Sequence, residues 1–191
     1  DNDVMHHFKS TKSSVFSNRI VTDSEKEDQV LQQQNNSING LEKSLKNQDM
    51  QISEMEKLQK AGKEKDNLEF KDQQKVNEFL KRQKQQDALM KEFAEKMKDN
   101  LDKFKTDQKD EFKEELQKRL EKADKDLEKN QKLLDELKAL NDKIKNEELM
   151  EKLDKFKQNS KNQTKNLEQL VELTKKYYVE KKAEQLADKL D

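Results

Sequence analysis

From Ile38 to the end of the chain, apolar residues return at steps of three and four, with charged residues between them. Ile38, Leu41, Leu45, Ile52 and Met55 form the first run, and Gln48 takes one polar place of the same spacing. Such a repeat draws one narrow apolar stripe along a helix, two positions in seven, which is buried only against another helix. A single wide core is therefore out of reach. Hydrophobic residues make up 29% of the chain and charged ones 43%, far from the near-half apolar share of a compact domain. Disorder is the competing outcome, but the chain has no Pro and only Gly40 and Gly62 as glycines, and it is rich in strong helix formers. The fold class that follows is all-α: two to four long antiparallel coiled-coil helices, with a short N-terminal β-strand arm.

The arm is residues 1–22, "DNDVMHHFKSTKSSVFSNRIVT", where "SSVFSNRIV" alternates as a strand does. A lone strand needs a sheet to join, so this segment reads as the end of an upstream β-domain or as an extended arm. "TDSEKEDQV" then offers two overlapping capping boxes, Thr22 with Glu25 and Ser24 with Glu27, and a helix starts. It runs over 23–60. A bend is expected at 61–67, with Gly62 ending the helix in the left-handed conformation and Asp66 or Asn67 capping the next.

A long helical tract over 68–157 follows. Its stripe is Met90, Phe93, Met97, Leu101 and Phe104, then Leu116, Leu120, Ala123, Leu127, Leu134, Leu137 and Ile144, then Leu149, Leu153 and Phe156. Gln108 and Asn130 are polar gaps in it. At 1.5 Å per residue an unbroken tract would reach ~135 Å against ~55 Å for the first helix, so it must bend back or meet another chain. "KTDQKDEF" near 105–112 and "KALNDKIKNEE" near 138–148 are the weak points. Residues 158–166 are either a polar turn or helix with Ser160 and Gln163 in the stripe. The C-terminal helix, 167–191, carries Leu167, Leu170, Tyr177, Ala183, Leu186 and Leu190. Tyr177 and Tyr178, the only tyrosines, straddle this stripe, so they read as packing residues, with a hydroxyl at the wet edge.

Several function classes fit poorly. The formal charge is −1 with signs finely mixed, so there is no basic face for nucleic acid. No apolar run is long enough to span a bilayer, and the stripe is too narrow for a membrane-surface helix. His6 and His7 are adjacent and point to opposite sides of a strand, a poor metal pair. Catalytic carboxylates need a desolvating pocket that thin seams do not offer, and no phosphate loop, nucleophile elbow or metalloprotease motif is present. The sequons at Asn35 and Asn162 are chance matches in an Asn-rich chain. Pairs such as Glu92–Lys96 and Glu114–Lys118 support the helices by a few tenths of a kcal/mol, and the like-charge pairs Glu95–Asp99 and Asp124–Glu128 subtract similarly. The expectation is no enzyme, no cofactor, no metal and no small-molecule ligand. The chain begins with Asp1 and has no Cys, so it reads as a piece of something longer, free of disulfides.

Asp1–Asn2–Asp3, Lys12–Ser13, Val15–Phe16–Ser17 and Arg19 stand where a turn and closing strand stand in certain Bacteroidota envelope proteins of unknown function. The chain resembles that family, in which an immunoglobulin-like β-domain runs into a long Glu/Lys/Gln-rich coiled coil. "EFLKRQKQQ" and "LTKKYYVEKK" are similar too, while Met-His-His replaces the usual Gly after the turn. The resemblance implies a periplasmic segment, anchored in the inner membrane through sequence outside this chain, and brings no catalytic residues. The function expected is a non-catalytic scaffold: an extended spacer and docking surface whose partners are protein chains, self or subunits of an envelope complex. The alternative is a holdase chaperone with bare apolar surface at Phe70, Phe79, Leu80 and Met90 near the bend.

Overall fold

The structure, a computed structural model, describes residues 22–64, 69–104, 110–143 and 146–190. It is all-α, with four helices: α1 (Asp23–Lys63), α2 (Phe70–Lys103), α3 (Glu111–Asp142) and α4 (Asn146–Asp188). The expected β-strand arm, with His6 and His7, lies outside the described residues, as do Gln108 and Ile144. α1 packs on α2 and α4, and α3 packs on α2 and α4, so the contacts close into a ring around one core.

α1 begins as its sequence dictates. Thr22 accepts from the Glu25 backbone N–H at 3.2 Å, and the Glu25 carboxylate accepts from the Thr22 N–H at 3.0 Å. Of the two possible boxes this one forms, and Ser24 falls inside the first turn. The buried positions then run Leu31, Gln34, Ile38, Leu41, Leu45, Gln48, Ile52, Met55, Gln59 and Gly62, an unbroken alternation of three and four.

Gly62 departs from expectation. It lies inside α1, which continues to Lys63 and ends at Glu64 with right-handed φ −82° and ψ −7°. The glycine serves packing: a Cβ there would run into the Met150 side chain of α4. Gly40 plays the same part in mid-helix, where a Cβ would strike the Phe93 ring of α2. "NNSING" therefore stays helical, and Phe93 packs half-buried over that gap. The next helix is capped by Glu69 and has no side-chain cap bond, in place of the expected Asp66 or Asn67.

The tract expected to run through 68–157 is divided. α2 ends at Lys103, just before the first weak stretch, and α3 at Asp142, inside the second; within the first, Asp110 caps α3 by accepting from the Lys113 N–H at 3.0 Å. Residues 158–166 lie wholly within α4, and Ser160, Gln163 and Thr164 are buried, which settles that stretch as helix. The four helices, of 41, 34, 32 and 43 residues, are of comparable length, on the order of 50–65 Å.

All of Ile38, Leu41, Leu45, Ile52, Met55, Met90, Met97, Leu101, Phe104, Leu116, Leu120, Leu127, Leu134, Leu137, Leu153, Phe156, Leu167, Leu170 and Tyr177 are buried; Phe93 is partly so. Each buried Leu contributes ~1.5–3 kcal/mol through removal from water. The stripe fails at the C-terminus. Ala183, Leu186 and Leu190 face solvent, and Gln185 takes the inward place instead. Outside the core, Asp124 and Glu128 form an unfavourable pair on α3 alone, yet both meet Lys91 of α2, at 3.4 and 3.3 Å.

Gly40→Ala discriminates packing from propensity. Helix propensity alone favours Ala by ~1 kcal/mol. The Phe93 clash, at ~1–3 kcal/mol, outweighs that gain, so chemical denaturation of the variant should show a net loss of up to ~2 kcal/mol. Adding Phe93→Leu, which vacates the ring's space, should recover most of that loss.

Candidate functional site

Buried apolar residues fall into two clusters along the helices. One holds Leu31 to Leu45 of α1, Met90 to Leu101 of α2, Leu116 to Leu127 of α3 and Leu167 to Tyr177 of α4. The other holds Ile52 and Met55, Val76 to Leu80, Leu134 and Leu137, and Leu149 to Phe156. In every helix the gap between the clusters is filled by polar side chains: Gln48 in α1, Gln83, Gln86 and Asp87 in α2, Asn130 in α3, and Ser160, Gln163 and Thr164 in α4. These form one layer across the core.

The layer is hydrogen-bonded between helices. The Gln83 amide donates to Gln48 Oε1 at 2.9 Å and to Asp87 Oδ1 at 2.7 Å. Gln86 donates to the Ser44 carbonyl of α1, and Asn130 donates to Gln163 of α4. The partnering is incomplete: Gln48 Nε2, Gln83 Oε1, Asp87 Oδ2, Ser160 Oγ and Gln163 Nε2 are buried without a hydrogen-bond partner among the described residues. Both amide atoms of Gln34 are in the same position elsewhere on α1. Each such group costs ~1–3 kcal/mol, so the layer is a weak band in the core. What it supplies is register, because sliding a helix by one turn would place these polar groups against leucine.

Asp87 is the chemically distinctive member. It is 5% exposed, and the charge-stabilising contact it makes among the described residues is with the Gln83 amide. Burial therefore dominates and pushes its carboxyl up to about 7, the Gln83 bond opposing only in part. A carboxyl raised in the fold is protonated there while the unfolded chain, at the usual 3.8, has lost its proton. Stability is thus full at acid pH and falls as pH rises from about 4 through 7.

A second polar contact fixes the end of the helices. Tyr177 is buried with its ring edge-on to Phe104 and Phe112, at 5.9 and 5.5 Å between centroids. Its hydroxyl donates to Asp110 Oδ2 at 3.0 Å, and Lys181 Nζ lies 3.6 Å from the same oxygen. Burial, then the Asp110 bond, holds the Tyr177 hydroxyl well above its usual range. Burial of Asp110 acts upward, but the Lys113 N–H, the Tyr177 hydroxyl and Lys181 together hold it below the usual carboxylate range. Tyr177 is therefore a strut between α4 and the start of α3. Tyr178 is partly buried at the flank, beneath the Lys182 ammonium at 5.9 Å.

Surface clefts are also present. One of them, of about 490 Å³, lies where α1 starts and α4 ends, with Val30, Leu31 and Phe104 among its apolar lining. Its charges are mixed in sign, and Lys181 pairs with Glu184 at 2.9 Å. Among the described residues no group of three His, Asp or Glu could hold a metal ion, and no helix is long and apolar enough to cross a membrane. Of the bare apolar positions expected near the bend, Phe79, Leu80 and Met90 are in the core and Phe70 alone is exposed.

Sequence spacing pointed to Gln48, Asn130, Ser160 and Gln163 as polar places in the stripe. It missed the α2 contribution, although "LKRQKQQDALM" carries Leu80, Gln83, Asp87 and Met90 at steps of three, four and three. No family model, no curated protein and no solved structure matches the chain.

Asp87→Asn should raise the midpoint of thermal or urea unfolding at pH 8 by the equivalent of ~2–4 kcal/mol and leave it nearly unchanged at pH 4. The unsubstituted chain should grow less stable between pH 5 and 8 and the variant should not. Carboxylates held low, Asp110 among them, titrate below this window.

Proposed function

We propose that this chain is a non-catalytic scaffold, an antiparallel coiled-coil bundle that acts as a spacer and docking surface within a larger cell-envelope protein. The observation that carries the reading is the use of the stripe: leucine, methionine and aromatic side chains are spent on contacts between the chain's own helices. What remains outside is mostly charged, and cross-helix pairs order much of it. Asp28 meets Gln185 and Lys189, Glu42 meets Lys175, and Glu56 meets Lys161, the numbers rising on α1 as they fall on α4. That order supports the antiparallel arrangement, and side-by-side packing with seam positions at steps of three and four supports the coiled coil.

Spacer function follows from shape and stiffness: helices over 30 residues long, tied at four interfaces, hold two ends apart. Partners would be other protein chains, met through outer helix faces. Placement in the periplasm, with an anchor in the inner membrane outside this chain, rests on the likeness of residues 1–20 to the envelope family. The holdase alternative loses its motivating surface with Phe79, Leu80 and Met90 in the core.

A client-aggregation assay separates the two. An equimolar amount of this chain should leave light scattering from a heat-denatured client unchanged. Suppression of that scattering by half or more would contradict the scaffold reading and favour the chaperone.

A further inference from the structure

The last turns of α4 carry a second apolar stripe, on the side away from the core. Val179 is 63% exposed, Leu186 54% and Leu190 87%, and Ala183 between them is exposed too. Val179, Ala183 and Leu186 are spaced four and three, the heptad pattern, and Leu190 lies four further on in the turn that follows α4, so these residues form one seam about three turns long, the last of them that turn. The inward face of the same turns is already complete, with Tyr177 and Gln185 buried. Elsewhere in the chain this spacing is spent on contacts between helices; here nothing among the described residues covers it.

We propose that this seam pairs with its own counterpart on a second copy of the chain, the two α4 helices running parallel. The flanking charges choose the partner and the direction. In heptad terms Ala183 is an a position and Val179 and Leu186 are d positions, which puts Lys175 and Lys182 at g and Glu180 at e. In a parallel pair each g residue faces the e residue five places on in the other chain, so Lys175 meets the partner's Glu180 twice over by symmetry. An antiparallel pair would set g against g, lysine against lysine, like charge on like. Lys175 is held on the correct flank by Glu42 at 2.5 Å, so it is ordered before pairing. Upstream on the same face stand Glu172 and Lys176, which end the seam at Val179. A contact of three turns is small, so the pairing is weak, with a dissociation constant on the order of 10–100 μM or above.

The pairing rests on the docking half of the scaffold reading and can fail without it. The chain has no Cys, which makes single-site cross-linking clean. Val179→Cys and, as a control of equal exposure, Met50→Cys would be oxidised side by side at about 100 μM, an estimate set by that weak affinity. Sedimentation of the unsubstituted full-length chain should show a concentration-dependent dimer. V179C should form disulfide dimers at least about tenfold faster than M50C, and adding Leu186→Lys should abolish the difference with helicity unchanged. Equal cross-linking rates, or a monomer at millimolar concentration, would overturn the pairing. So would a dimer in which V179C has no advantage, since a parallel pair sets the two copies of residue 179 face to face. A monomer destabilised by Leu186→Lys would place the seam against the chain's own residues and overturn it equally. Failure of the scaffold reading would appear instead as client protection, whatever the oligomeric state.

Discussion

A helix stripe two residues wide can cover only its neighbour, and the chain has too few apolar residues for more than that. Everything in the fold follows from this shortage. The four helices must be long, because each turn contributes little. They must pack against one another, because an uncovered stripe over such lengths would expose leucine throughout. Even so the apolar supply runs out in mid-helix, and the core there is glutamine, asparagine and aspartate. The polar layer lowers stability and fixes alignment, since it fits only against itself.

Close approach is settled by the smallest residues. Gly40 and Gly62, which in so glycine-poor a chain look like breaks, are the two places where one helix admits a large side chain from another, Phe93 and Met150. At the opposite kind of site, Asp110 gathers the Lys113 N–H, the Tyr177 hydroxyl and Lys181 around one carboxylate. It caps a helix and ties two helices together at once.

The stripe was legible in large part: three-four spacing identified most of the buried apolar residues but missed Leu31 of α1 and Val76, Phe79 and Leu80 of α2, while the Thr22–Glu25 box marked the start of α1. Helix ends were harder. Without Gly or Pro at 105–109 and 144–145, the stops depend on where helices of matched length reverse, a tertiary matter that local spacing does not encode. Gly62 misled because the same residue serves as cap or as gap, and only the neighbour Met150 distinguishes them. The end of α4 misled for a related reason. Leu186 and Leu190 have helical spacing, but so does Gln185 with Tyr177, and the direction of the core decides between the two faces. As to the candidate site, the polar places were visible one helix at a time, whereas their alignment into a layer, and the burial that raises Asp87, exist only once the four helices are side by side.

The central claim is that a single chain folds back on itself so that the start of α1 lies beside the end of α4, where Asp28 meets Lys189 at 3.3 Å. Energy transfer between dyes on Glu27→Cys and Asp188→Cys, at nanomolar concentration where chains are separate, reads this directly. The account requires high transfer, with the dyes on the order of 20 Å apart, about two helix diameters. Low transfer, with a separation of about 60 Å or more, the length of one of these helices, would mean that the helices do not close into a ring within one chain.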